Sequence, residues 1–141
     1  MGGISDQLPV KSKMSDEIIV KLNELLKSLS SEVPGTNGSL LITEDGFIIA
    51  SNLGNETDCY EIGKMYSSFS KTGQKFTEKV FKSPGIRFSI WNEDGDIQCF
   101  PVNNNIFLVI ISNFDSRPGL LLLRVTKMIE LLREVLENYD E

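Results

Sequence analysis

The stretch Ile106-Phe107-Leu108-Val109-Ile110-Ile111 limits the possible folds more than any other part of the chain. Its consecutive apolar side chains, mostly β-branched or aromatic, offer no polar face and are too few for a buried helix. They demand a strand covered on both sides. Leu40-Leu41-Ile42 has the same character. These two strands are therefore expected at the centre of a sheet with helices on both faces.

The remaining elements follow from periodicity and breakers. Residues 1–14 are polar and aperiodic and read as a flexible N-terminal tail, with one domain over 15–141. Ser15 is a suitable N-cap, and Ile18, Leu22, Leu25 and Leu29, widened by Ile19 and Leu26, predict an amphipathic helix ending near Ser31. Pro34-Gly35 and Asn37-Gly38 then break the chain. Strands Ser39–Thr43 and Phe47–Ser51 are joined by Glu44-Asp45-Gly46, where Gly46 is free to take positive φ. Thr57 or Asp58 caps a second helix that runs to about Lys82, where Ser83-Pro84-Gly85 stops it. Strands Ile86–Trp91, Asp96–Val102 and Ile106–Ser112 follow, joined by Glu93-Asp94-Gly95 and Asn103-Asn104-Asn105. Alternation in the third strand suits an edge or an interface, and Pro101 belongs at a strand end. Val125, Met128, Leu132, Val135 and Leu136 stripe a last helix over Leu120–Asn138. The order is αββαβββα, an α+β chain with short turns and hence antiparallel pairing.

The second helix carries three lines of residues. Ile62, Tyr66, Phe69, Gly73, Phe76 and Val80 form an apolar stripe assigned to the sheet. Lys64, Lys71, Lys75 and Lys82 lie opposite, with Lys79 nearby: a partner-binding face for an acidic or anionic surface, or a solvated face that serves solubility. Gly63, Ser67, Ser70, Gln74, Thr77 and Phe81 are mostly small. They read either as the face where the helix meets its own copy or as a solvated flank. The third strand has an edge that a second copy could pair. Arg87, Ser89 and Trp91 would then lie near the two-fold axis; in a monomer, Trp91 packs under the second helix instead.

Chemistry is largely excluded by what is missing. The chain has no histidine, which removes imidazole bases and His-containing metal sites. Cys59 and Cys99 match no CxxC spacing and read as reduced thiols, with a disulfide the other possibility. Gly63-Lys64 is no phosphate loop, because Asp58 and Met65 stand where glycine and a hydroxyl residue are needed. Glu93, Asp94 and Asp96 lack the spacing of a calcium loop. Arg117, before the last helix, could reach a partner's phosphates but reads as a surface residue. A net charge of −6 argues against nucleic acid. No apolar stretch has the length of a secretory signal or a membrane span, and Asp6 breaks the myristoylation pattern begun by Met1-Gly2. A cytoplasmic protein without cofactor or metal is expected, with recruitment to a membrane through partners.

Several of these features resemble the Roadblock/dynein light-chain family: Pro34-Gly35, the hairpin from Leu40 to Ser51 around Glu44-Asp45-Gly46, Asp94-Gly95 followed by Phe100-Pro101-Val102, the apolar fifth strand and Gly119. The likeness spans about Glu17 to Leu136. It implies a five-stranded antiparallel sheet with the second helix on one face and the first and third helices on the other. It also implies dimerisation through the second helix and third strand, with itself or a paralogue. The expected role is a non-catalytic scaffold or regulator of a small Ras-like GTPase. A light-chain adaptor in a motor or membrane-associated complex is the alternative. A PAS-like small-molecule sensor fits less well, because one long helix fills the gap between the second and third strands.

Overall fold

A computed structural model describes residues 16–53, 59–83, 85–113 and 118–140. The elements keep the predicted order: α1 (Asp16–Glu32), β1 (Thr36–Thr43), β2 (Ile48–Asn52), α2 (Cys59–Phe81), β3 (Phe88–Asn92), β4 (Gly95–Pro101), β5 (Ile106–Ser112) and α3 (Pro118–Asp140). The tail before Asp16, the Ser15, Thr57 and Asp58 caps, Pro84 and Arg117 lie outside the described residues.

All pairings are antiparallel, in the order β2-β1-β5-β4-β3. The apolar run of β5 is central, with β1 beside it and β3 at an edge, as its patterning requires. Because side chains alternate across a strand, Leu41, Leu108 and Ile110 point to one face, and Leu40, Ile42, Phe107 and Val109 to the other. On the first face α1 and α3 add Leu22, Leu26, Leu29, Leu121, Val125, Met128, Leu132 and Leu136. On the second, α2 adds Tyr66.

Asn37-Gly38 does not break the chain. β1 runs through it with a register shift against β5 between Thr36 and Gly38. A Cβ on Gly38 would sit 2.7 Å from a Leu53 methyl and 2.8 Å from the Asn52 carbonyl oxygen. Here glycine marks a bulge with close backbone approach rather than a turn. The Glu44-Asp45-Gly46 turn forms as expected, with Gly46 at φ 94° and Thr43 N–H donating to Phe47 O at 2.9 Å. β3 starts later than predicted, because Ile86 leaves the sheet line to pack on Gly73 of α2.

The two sheet edges are treated differently. Along β2, Asn23 Oδ1 of α1 accepts from Ser51 N–H at 3.1 Å, and Asn52 Nδ2 donates to Ser30 Oγ at 3.0 Å. Along β3, the outer side pairs with no strand among the described residues.

Candidate interaction surface

The position of α2 is set by two glycines. Gly63 lies against the β1–β2 turn so closely that a Cβ there would overlap the Gly46 carbonyl oxygen at 2.2 Å. This contact fixes the helix's roll. Gly63, Tyr66 and Ser70 are buried, and Ser67, Gln74 and Thr77 half-buried. The small residues therefore face the protomer's own sheet, with Gln74 Nε2 donating to Ser70 Oγ at 3.1 Å. Gly63 and Ser70, expected at the seam with a copy, are buried by packing within the protomer. The apolar stripe assigned to the sheet is corrected. Of its members only Tyr66 is buried, while Phe69, Phe76 and Val80 are exposed. Spacing alone gives two stripes side by side; which one turns inward is decided by how closely the backbone must approach.

The result is an apolar strip along the β3 flank of α2. Phe76 is 69% and Phe81 73% exposed, with Val80, Phe69 and Met65 beside them. Phe69 touches Phe88 of β3, ring centroids 4.7 Å apart. Beyond it, the last turns of α2 stand away from the start of β3, leaving a groove of about 400 Å³ that Phe76, Phe81, Ile86 and Phe88 help to line. At the opposite end of β3, the same sheet face has a shallow hollow of about 280 Å³ over Ile90, Ile97 and Ile111. Neither Ile90 nor Ile97 was singled out in the sequence as surface apolar; their exposure follows from α2 crossing only one end of the sheet.

Of the other residues expected at a dimer seam, Ser89 is exposed, and the Arg87 guanidinium lies 4.5 Å from the Phe100 ring. Trp91 is 74% exposed, so it does not pack under α2. The lysines Lys64, Lys71, Lys75, Lys79 and Lys82 all lie on exposed positions of α2 or just past its end. Lys64 pairs with Glu61 at 3.6 Å and sits 5.3 Å from the Tyr60 ring. Lys82 closes the helix in the left-handed region, φ 65°, its N–H donating to Glu78 O at 2.9 Å.

Beneath α2, Cys99 Sγ–H donates to Tyr66 Oη at 3.7 Å, with Phe88 stacked on the tyrosine ring and Phe107 tilted against it. Burial pushes the Cys99 thiol up to about 11 and raises the Tyr66 hydroxyl further, so both stay protonated at neutral pH. Both cysteines are free, which removes the disulfide reading. A buried, protonated thiol is a packing group rather than a nucleophile. Among the described residues no group of three His, Cys, Asp or Glu could hold a metal, and no helix is long and apolar enough to cross a membrane.

No protein-family model matches the sequence, and no curated protein matches it. Solved structures do match in shape. MglB of Myxococcus xanthus superposes with a TM-score of 0.81 at 16% identity, covering 89% of this chain and 95% of that one. An MglB described with a tetrameric arrangement gives 0.78 at 15% identity, with the same coverage. The Roadblock/LC7 domain of Streptomyces avermitilis gives 0.72 at 14% identity, covering 82% of this chain and 97% of that one. This chain has the Roadblock fold. The element order read from periodicity and breakers, and the division of the three helices between the sheet's faces implied by the family resemblance, are both present.

Proposed function

We propose that the chain is a non-catalytic Roadblock module that pairs with a second copy, or with a Roadblock paralogue, through α2 and β3. The resulting platform scaffolds or regulates a small Ras-like GTPase. The observation that carries the reading is the unfinished α2 side: exposed Phe76, Val80 and Phe81 beside a strand edge that is unpaired among the described residues. Contiguous apolar surface next to an open edge is what an interface looks like before its partner arrives.

A two-fold axis beside β3 satisfies both features at once. Antiparallel pairing of β3 with its copy continues the sheet. It also brings the Phe88 end of one β3 opposite the Asn92 end of the other. The last turns of α2 then reach over the partner's hollow at Ile90, Ile97 and Ile111. Arg87, Ser89 and Trp91 lie along the joined edge, and Phe81 of the predicted seam is covered. Ser67, Gln74 and Thr77 flank the contact instead of forming it. The tetrameric arrangement named for one MglB structure supports self-association, and the family resemblance supports a GTPase as partner.

Light scattering after size exclusion should give twice the chain mass, and Phe76→Asp with Val80→Asp should give the monomer. A wild-type monomer at micromolar concentration overturns the pairing. GTPases loaded with GDP or a GTP analogue should be captured unequally. Equal or absent capture across a representative panel removes the regulatory part and leaves the adaptor.

A further inference from the structure

We propose that the lysine face of α2 docks the protein on anionic lipid bilayers. The chain is acidic overall, yet α2 and its closing residue carry five lysines against only Glu61 and Glu78. Lys71, Lys75, Lys79 and Lys82 are exposed along the outer side of the helix. The apolar flank and the lysine face are adjacent but distinct, so pairing through Phe76 and Val80 leaves the lysines uncovered.

The chemistry of the face favours lipid over a protein partner. Every cation on α2 is lysine, while the described arginines, Arg87, Arg124 and Arg133, all lie elsewhere. Arginine's planar fork reads carboxylates and phosphates in fixed geometry; lysine is a flexible point charge that tolerates a fluid array of headgroups. The face is also a helix exterior spanning about 25 Å, long enough for several headgroups at once. Each lysine near an anionic leaflet adds attraction that multiplies across the set, and salt screens it. The acidic remainder of the molecule orients the approach, since only this side is attracted. The proposal rests on the dimer reading only for the doubling of the face.

The test is co-sedimentation of the full chain with vesicles of phosphatidylcholine alone or with about one third phosphatidylserine. Binding should require the anionic lipid and vanish at about 0.5 M salt. The variant K71Q/K75Q/K79Q/K82Q, altered only at exposed positions, should bind more than about tenfold weaker with unchanged circular dichroism and unchanged mass. Equal binding of wild type to both vesicles, or of the variant and wild type to anionic ones, overturns the proposal. So does absent vesicle binding combined with loss of GTPase capture in the variant, which assigns the face to an acidic protein. Retained lipid binding by a wild-type monomer would overturn the pairing and leave this proposal standing.

Discussion

Under α1 and α3 the sheet buries a continuous layer, with Leu22, Leu26, Leu29, Leu108, Ile110 and Leu132 almost fully removed from water. Under α2 the buried hydrophobic cluster among the described residues is smaller, Leu40, Ile42, Tyr66, Cys99, Phe107 and Val109, while Phe76, Phe81, Ile90 and Ile97 stay exposed nearby. The same sheet, with strands patterned alike on both sides, is finished on one face and unfinished on the other. The cause is geometric. Two helices cover the first face, and α1 reaches over the β2 edge. One helix crosses the second, pinned in its N-terminal half by the Gly46–Gly63 contact, while its last turns leave a groove beside the start of β3. The pairing proposed above would complete this face.

This contrast can be broken at either face. Leu132→Ala, in the closed layer, should lose about 4 kcal/mol of unfolding free energy in urea, because the cavity cannot collapse between α3 and the sheet. A loss below about 1 kcal/mol would mean that this layer is loose. Gly63→Ala should lose about 2–3 kcal/mol, since the added methyl meets backbone and not a movable side chain. If it is neutral, α2 is not pinned where the structure places it.

The alkaline limb of stability reports on the α2 side through Cys99 and Tyr66. A Cys99 thiol raised to about 11 keeps its proton in the folded state after the unfolded thiol, near 9, has released it. Stability is full below pH 9 and should fall by about 2 kcal/mol between pH 9 and 11. Tyr66, raised in the same direction, steepens the fall above its ordinary value of 10.0. Urea midpoints of Cys99→Ala across this window should show a shallower slope; an unchanged slope would clear Cys99 of the effect. Smaller still, Lys82→Gly should stabilise by about 1 kcal/mol by relieving the left-handed residue at the end of α2. Smallest is Phe76→Ala, which at concentrations where the chain is monomeric should change unfolding by less than about 0.5 kcal/mol. A loss comparable to that of Leu132→Ala would make the two faces equivalent.

Much of the architecture was legible because it depends on local chemistry. The apolar run of β5 announced its central place, the alternation of β3 its edge, and Gly46 its turn. The roll of α2 was not legible. Gly63, Ser67 and Ser70 repeat with the same period as Phe69, Phe76 and Val80, and spacing says nothing about which line approaches a neighbour. The deciding contact joins Gly63 to Gly46, two residues distant in sequence whose meeting depends on the completed fold. Gly38 misled for a related reason, since a glycine that admits a neighbouring backbone looks in sequence like one that turns the chain. The exposure of Ile90 and Ile97 was hidden because nothing local reveals how far a helix extends across a sheet.

The strand order has a consequence for biosynthesis. β1 and β2 emerge early, yet the strand that joins them to β4 and β3 is β5, the last of the five to be made. Until residue 112 has cleared the ribosome, the β1–β2 and β3–β4 segments lack the strand that joins them into one sheet. Closure is thus a late, single event, and chaperones would be needed most in the interval before it.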